Sequence, residues 1–445
     1  MGLFFGTDGI RGVPGKDLSL DLVFKIGNSL ANQIDSPKIL VATDGRTTAS
    51  AMMTAISCGI ISGGGTVVYV GVIGTAAVSF ITKEKSFDYG VVITASHNSS
   101  EFNGIKIFDK NGEKLTDEKI NLIEKNLFNL NLKNSNNFGK FETNFDIIND
   151  YIDFIVSQTN KDPVGKFKVV FDCSNGATSF SAKRIYERLN IDCLFINNMP
   201  NGTNINQSCG SNHLENLIEL VVKNKADLGF AVDGDGDRLI AVDENGTVVD
   251  GDKILLIFAK WLKKNNQLKG NTVVGTSQTN MAIENEFKQM GINFERTDVG
   301  DRFVFEKMKE KGFVLGGEQS GHIINLTKFQ TGDGVLNSIL LMQILTATNQ
   351  KLSAAANIKT YTQKQKNIAV KNKDKIILNQ ELNSQIIAAK NELKENGRLV
   401  VRPSGTEPVI RIMAESKEES VAEFVAEKIE KMIRDIDSKF GLCVE

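Results

Sequence analysis

Three aspartates alternate with glycines in Asp233-Gly-Asp-Gly-Asp-Arg238. Hard carboxylates separated only by glycine can converge on one divalent cation, because glycine lets the backbone turn tightly. So few carboxylates, with oxygen as the only donor, suit Mg²⁺ completed by a phosphate oxygen. An EF-hand calcium loop is the nearest rival, since Glu244 falls at its twelfth position. Arg238, however, stands where that loop needs glycine, and both flanks read as strands.

Ser96 lies in Thr94-Ala-Ser-His-Asn98, just past an apolar run. A Ser-His-Asp hydrolase is excluded: Gly-x-Ser-x-Gly is absent, and the only histidines are His97, His213 and His322. A serine without an obvious base can still carry a phosphoryl group, because that transfer depends mainly on positioning and charge neutralisation. No Gly-x-x-x-x-Gly-Lys-[Ser/Thr] segment is present, so a nucleoside triphosphate is not the expected donor.

Two further loops suit a phosphorylated sugar. In Arg402-Pro-Ser-Gly-Thr-Glu-Pro408, Ser404 and Thr406 offer hydroxyls and Gly405 exposes backbone amides, while Arg402 and Arg411 can each fork onto phosphate oxygens. In Gly317-Glu-Gln-Ser-Gly-His322, Glu318, Ser320 and His322 supply acceptor, donor and both to sugar hydroxyls. Near the N-terminus, Gly6-Thr-Asp-Gly-Ile-Arg-Gly12 packs glycines around Arg11, which either reaches a phosphate or closes a turn.

The elements that must position these loops form a rhythm. Three times a β-rich run leads through a polar loop into a helix and a second strand: Lys38–Asp44 to Thr66–Val70, Phe167–Asp172 to Asp192–Ile196, and Asn271–Gly275 to Asn293–Glu295. Each copy is followed by another strand that ends in one of the polar loops, at Thr94, Val232 and Gly316. Ligands in α/β sheets sit beyond the carboxyl ends of strands, so chemistry is expected at these three loops. The tail differs. Arg398–Val401 and Ile410–Glu415 read as strands, followed by a long helix through Ile436 with Ser416 and Glu419 as a capping box. The Lys- and Gln-rich run Thr362 to Lys366 reads as a solvated linker.

The 445 residues are too many for one domain. Breaks are expected at the Asn-rich stretch around 131–150, near 250, and within 359–375, dividing the chain into 1–149, 150–250, 251–362 and 363–445. With Lys+Arg 52 against Asp+Glu 54, the net charge of −2 gives no global reason to bind nucleic acid or an anionic membrane. No apolar run is long enough to span a bilayer, and the N-terminus lacks signal-peptide and myristoylation patterns. Cys58, Cys173, Cys193, Cys209 and Cys443 are scattered without a CxxC, as expected for reduced thiols in a cytoplasmic protein.

Taken in order, Phe5–Gly12, Thr94–Asn98, Asp233–Arg238, Gly317–His322 and Arg402–Pro408 resemble the signature set of the α-D-phosphohexomutases, over essentially the whole chain. The opening motif and the Gly-Gly-Glu-Gln-Ser-Gly-His form resemble most the branch acting on glucosamine phosphates; the phosphomannomutase/phosphoglucomutase branch usually has another residue at Gln319. The resemblance implies an α/β fold: three similar α/β domains with mixed sheets and a smaller α+β C-terminal domain around a central cleft. Two departures stand out. The usual Asn-Pro after the serine is Asn98-Ser99, and the Asp-Thr-Arg-x-Ser-Gly pattern appears as Asp44-Gly-Arg-Thr-Thr-Ala, which unsettles the carry-over around Arg46.

The resemblance further implies that Ser96 is a phosphoserine, with Mg²⁺ held by its phosphate and by Asp233, Asp235 and Asp237. The implied isomerase moves this phosphoryl group to glucosamine 6-phosphate. The 1,6-bisphosphate turns round and returns its other phosphate, leaving glucosamine 1-phosphate for UDP-N-acetylglucosamine and cell-wall precursor synthesis. Glucosamine 1,6-bisphosphate or glucose 1,6-bisphosphate would be the activator. Three aspartates and a phosphoserine of about −2 against one Mg²⁺ leave a charge near −3. Arg11, Lys106 and Arg238 are the expected neutralising cations, with Lys106 also the candidate general acid/base. The substrate is a small sugar phosphate, and a homodimer is left open. A non-catalytic sugar-phosphate sensor is the rival from another class; it would need no phosphoryl carrier.

Overall fold

The computed structural model describes residues 4–6, 8–128, 137–159, 163–404 and 408–440. Its strands are β1 (Ile10–Gly12), β2 (Lys38–Thr43), β3 (Thr66–Val72), β4 (Tyr89–Ile93), β5 (Asn103–Asp109), β6 (Phe141–Thr143), β7 (Lys168–Asp172), β8 (Asp192–Ile196), β9 (Leu228–Ala231), β10 (Ile240–Asp243), β11 (Val248–Val249), β12 (Thr272–Thr276), β13 (Asn293–Thr297), β14 (Leu315–Gly317), β15 (Ile323–Asn325), β16 (Thr362–Ala369), β17 (Gly397–Pro403) and β18 (Val409–Ser416). The chain forms two compact units, Met1–Thr276 with Glu295–Asn357 and Ser277–Phe294 with Ile358–Glu445.

Three α/β sheets have the orders β1-β5-β4-β2-β3-β6, β11-β10-β9-β7-β8 and β13-β12-β14-β15. Strands β4, β9 and β12 are continuous apolar or small-residue runs buried at every position, the pattern of central parallel strands covered on both faces. In each sheet a parallel pair is followed by an antiparallel return: β5 along β4, β10 along β9 and β15 along β14. The sheets are therefore mixed, and each polar loop lies where the chain turns from a parallel strand into its return. Three of the helices start at a capping side chain that the sequence supplies: Ser19 accepts from Leu22 N, Asp250 from Lys253 N, and Asp333 from Leu336 N.

The second unit has a three-stranded antiparallel sheet of order β16-β18-β17. Its core joins Ile368, Leu399, Ile410 and Ile412 of the sheet to Leu382 and Ile386 of helix Gln380–Leu393, and to Val425, Ile429 and Ile433 of helix Glu419–Phe440. Two expectations need correcting. The run from Thr362 is no linker: all eight residues of β16 pair with β18. Its lysines make an edge strand look like solvated coil, but Lys364 and Lys366 fold over the adjacent helix to reach Glu419 and Glu430. The capping box does not form either. Ser416 ends β18 and accepts from Glu418 N at 3.2 Å, while the Glu419 carboxylate is taken by Lys364.

Among the described residues no helix is long and apolar enough to cross a membrane. Cys58, Cys173, Cys193 and Cys209 are free thiols, and Cys443 lies outside the described residues.

Candidate active site

Strand β4 delivers the chain to Thr94, whose hydroxyl donates to Asp44 Oδ2 at 2.7 Å and accepts from Ser96 N at 2.9 Å. Ser96 then takes φ +52°, a left-handed conformation uncommon outside glycine. Buried Arg46 secures this turn. Its Nε pairs with Asp44 at 2.8 Å, and its guanidinium donates to the carbonyls of Ser96 (2.9 Å), Asn98 (2.8 Å), Phe102 (3.1 Å) and Ser99. The departure around Asp44-Gly-Arg thus leaves an arginine clamp on the serine loop, a role the sequence reading did not find.

The aspartate loop leaves β9 and meets the serine loop directly: Ser96 Oγ donates to Asp233 Oδ2 at 2.6 Å. Gly234 permits this approach, since a Cβ there would stand 2.7 Å from the Ser96 carbonyl oxygen. Gly236 turns the loop at φ +75°, where a side chain would also strike Thr178. Thr75, heading helix Thr75–Glu84, grips the middle aspartate twice: its N–H donates to Asp235 O at 2.9 Å and its hydroxyl to Asp235 Oδ2 at 2.5 Å.

Strand β5 brings Lys106 back to the same point. Its Nζ lies 2.7 Å from Asp235 Oδ2, 2.7 Å from Asp237 Oδ2 and 3.0 Å from Asp8 Oδ2. Burial disfavours the ammonium, but Asp235, Asp237 and Asp8 outweigh it and hold its pKa well above the ordinary lysine value. Arg11, on β1 beside β5, donates to Asn98 Oδ1 at 3.0 Å and pairs with Asp8 at 2.5 Å.

The loop between β14 and β15 adds Glu318, Ser320 and His322. His322 Nδ1 is 3.6 Å from Asp237 Oδ1 and its Nε2 is 3.2 Å from Asp301 Oδ2. Burial lowers its pKa, yet Asp301 and Asp237 prevail and raise it to about 9. Lys114 joins Asp301 to Asp8. The charges close a ring: Asp237, His322, Asp301, Lys114, Asp8, Lys106 and back to Asp237. Glu318 accepts from Gly300 N at 3.0 Å, with its pKa raised by burial and by Asp301. Ser320 is half-buried on the turn between Glu318 and His322. Arg238 is half-buried and donates its backbone N–H to Asp233 Oδ1 at 3.2 Å. Burial opposes its charge, and Asp233, Asp237 and Glu318 more than restore it. His97 Nδ1 lies 3.3 Å from Ser96 Oγ, and burial with Arg238 and Arg11 lowers that imidazole to about 3, leaving it neutral.

Asp233, Asp235 and Asp237 each offer a carboxylate oxygen, and these oxygens lie within 4.8 Å of one another. Among the described residues, Asp235 Oδ1 and Asp237 Oδ1 are buried without a hydrogen-bond partner. Burial and the two neighbouring carboxylates push Asp233 up to about 8. Mutually repelling buried oxygens of this kind fit a hard divalent cation, which would satisfy the orphaned atoms and relieve the repulsion.

The structure thus gathers Arg11, Ser96, Lys106, Asp233, Asp235, Asp237, Arg238, Glu318, Ser320 and His322 within the first unit. Asp8, Lys114 and Asp301, which the sequence reading missed, complete the charge ring; each lies in or near a glycine-containing loop, the one signal available. In the second unit, Arg402 on β17 faces Arg411 on β18 as a register pair, setting two like charges side by side. Ser404 is buried, its N–H donating to Val409 O at 2.9 Å and its carbonyl accepting from Lys373 Nζ at 2.5 Å. Gly405 and Thr406 lie outside the described residues.

Comparison with known proteins agrees with this architecture. Family models match four successive segments: phosphoglucomutase/phosphomannomutase alpha/beta/alpha domain I at 2–134, domain II at 149–246, domain III at 250–361 and the C-terminal domain at 366–432. A phosphoglucosamine mutase of Caldicellulosiruptor saccharolyticus is 42% identical over 435 residues, covering 94% of this chain and 96% of that protein. In structure the chain is similar to a phosphoglucomutase/phosphomannomutase family protein from Burkholderia thailandensis, with TM-score 0.82, 23% identity and 97% of each chain covered. It also resembles the Aspergillus fumigatus N-acetylphosphoglucosamine mutase solved with GlcNAc-6P and magnesium, with TM-score 0.69, 17% identity, and 98% and 96% of the chains covered.

Proposed function

Since the chain belongs to the phosphoglucosamine mutase family of phosphohexomutases, we propose that this isomerase interconverts D-glucosamine 6-phosphate and D-glucosamine 1-phosphate through a phosphorylated Ser96. The observation that carries the reading is the Ser96 hydroxyl 2.6 Å from Asp233, one member of a buried three-aspartate cluster. A lone serine nucleophile does not need three carboxylates; a phosphoserine sharing a cation with them does.

Mg²⁺ fits this donor set, held by Asp233, Asp235, Asp237 and the phosphate of Ser96, and when bound it draws negative charge from the phosphoryl oxygens. The protein's own residues do the rest. Arg46 fixes the serine loop, and Arg11, Lys106 and Arg238 offset the aspartates. The phosphate's charge of about −2 is then balanced by the cation's +2. We assign Lys106 the acid/base role: as the P–Oγ bond breaks, its ammonium gives a proton to Ser96 Oγ and the amine takes the proton of the attacking sugar hydroxyl, the two transfers reversing when Ser96 is rephosphorylated. Glu318, Ser320 and His322 bind sugar hydroxyls. Arg402, Ser404, Gly405, Thr406 and Arg411 hold the phosphate that is not reacting, which requires the 1,6-bisphosphate to bind in two orientations. We assign these roles to four segments, 1–149, 150–250, 251–362 and 363–445, carrying the serine, aspartate, sugar and phosphate loops in turn.

Glucosamine 1,6-bisphosphate or glucose 1,6-bisphosphate would charge Ser96, and the product would feed UDP-N-acetylglucosamine synthesis. The scattered free thiols support a cytoplasmic setting. The test is direct. Intact-mass measurement should find one phosphate on the wild type and none on Ser96→Ala, which stays folded but loses nearly all turnover. Glucosamine 6-phosphate should be converted faster than glucose or mannose 6-phosphate; preference for either of these would reassign the substrate to the phosphomannomutase/phosphoglucomutase branch. Full turnover by Ser96→Ala would sink the phosphoserine reading.

A further inference from the structure

Asn206 lies between β8 and β9, outside every motif considered above, yet its side chain reaches the serine loop. Its Nδ2 donates to Ser96 O at 2.8 Å and to Asn98 O at 2.9 Å. Arg46 Nη2 donates to the same two carbonyls, at 2.9 and 2.8 Å. The peptide planes that follow Ser96 and Asn98 are therefore held from two directions by residues 160 positions apart.

Arg46 alone already satisfies both carbonyl oxygens, so a second donor is not needed to avoid a buried unpaired group. What it adds is orientation. The direction of Ser96 Oγ depends on the peptide planes beside it, and Ser96 sits in the left-handed region, where an L-residue stays only if its surroundings hold it. Asn206 is itself fixed. It is buried, takes φ +56°, and its N–H donates to Ser174 O at 2.9 Å. The loop that carries it is tied down a second time, by Thr47 N donating to Gly202 O at 3.0 Å.

We infer that Asn206 is a positioning residue: through the carbonyls of Ser96 and Asn98 it aims the Ser96 hydroxyl, and so sets the rate of phosphoryl transfer rather than the affinity for sugar. The inference rests on the reading of Ser96 as phosphoryl carrier.

Two variants separate aim from folding. Asn206→Gly removes the amide yet tolerates φ +56°, so no backbone strain is introduced. Asn206→Asp keeps the shape and removes both N–H donors. In the full-length enzyme with Mg²⁺, both should lower kcat by about ten- to a hundredfold, the scale of a small misplacement of reacting atoms. KM should stay within about twofold and the melting temperature should barely move. Single-turnover phosphorylation of Ser96 by glucose 1,6-bisphosphate should slow by the same factor as kcat. A normal kcat in Asn206→Gly, a rise in KM alone, or an activity loss matched by loss of folded protein would overturn the inference. Ser96→Ala, assayed alongside, keeps the two claims apart. An active Ser96→Ala would remove the carrier itself, whereas an inactive one beside normal Asn206 variants would remove only the role of Asn206.

Discussion

Lys106 Nζ donates to Asp237 Oδ2 at 2.7 Å, a bond between residues 131 positions apart in the chain. The same ammonium lies 2.7 Å from Asp235 and 3.0 Å from Asp8, so one buried cation meets three carboxylates from two loops at once. Lys106→Met should therefore have opposite effects on two measurements. Removing one partner of a buried charge cluster costs about 3–5 kcal/mol of stability, and turnover should fall at least about a hundredfold. Divalent-cation affinity, read by calorimetry, should rise, because the aspartates lose a competing positive charge. Unchanged affinity would mean that Lys106 does not share the field of the aspartate cluster.

The metal assignment is checked by Asp235→Asn. Among the described residues Asp235 Oδ1 is buried and unpartnered, and its other oxygen already accepts from Thr75 and Lys106. Replacing one of three anionic ligands should weaken Mg²⁺ binding and lower activity by orders of magnitude. In the wild type, EDTA should abolish activity and excess Mg²⁺ restore it. Full turnover in chelator would rule out a metal requirement.

Arg402 faces Arg411 across β17 and β18. If this pair holds the non-reacting phosphate, Arg402→Ala should lower kcat/KM for glucosamine 6-phosphate and glucosamine 1-phosphate by similar factors. A hydrogen bond to a charged group is worth about 1.5–3 kcal/mol, which corresponds to roughly ten- to a hundredfold. Phosphorylation of Ser96 and Mg²⁺ binding should be unaffected, and dependence on added bisphosphate should rise. A loss confined to one direction would show that Arg402 serves only one orientation of the sugar.

His322 supplies a pH signature. Its folded pKa is raised to about 9 from the ordinary histidine value of 6.5, burial being outweighed by Asp301 and Asp237. The histidine binds its proton more tightly when folded, so its contribution is fully present below about pH 6.5 and is lost as pH rises through about 9. In chelator, the melting temperature of the wild type should fall across that window, and His322→Gln should flatten the fall. Parallel curves for the two proteins would remove His322 from the charge ring.

The proposed reacting groups are legible in the sequence because each is written into a short local pattern. Alternating Asp and Gly, a serine after an apolar strand, and an Arg-Pro-Ser-Gly turn all announce chemistry within six or seven residues. The three-fold strand–helix rhythm was equally legible, since buried parallel strands such as β4 and β9 are unbroken apolar runs. Locality also misled. The lysines of Thr362–Lys366 looked like coil because an edge strand exposes one face, and its partner β18 lies more than forty residues away.

What holds the reacting groups was decided by tertiary structure alone. Arg46 and Asn206 meet at the carbonyls of Ser96 and Asn98, and Lys114 meets Asp8 and Asp301, through contacts spanning tens to nearly two hundred positions. An arginine, an asparagine or an aspartate in a glycine-bearing loop carries no mark of its partner. A pairing of charges or hydrogen bonds is a fact about distance in space, and separation along the chain does not encode it. The sequence by itself determined which atoms are available to react; the packing of the loops determined which cation faces which carboxylate, and where the serine points.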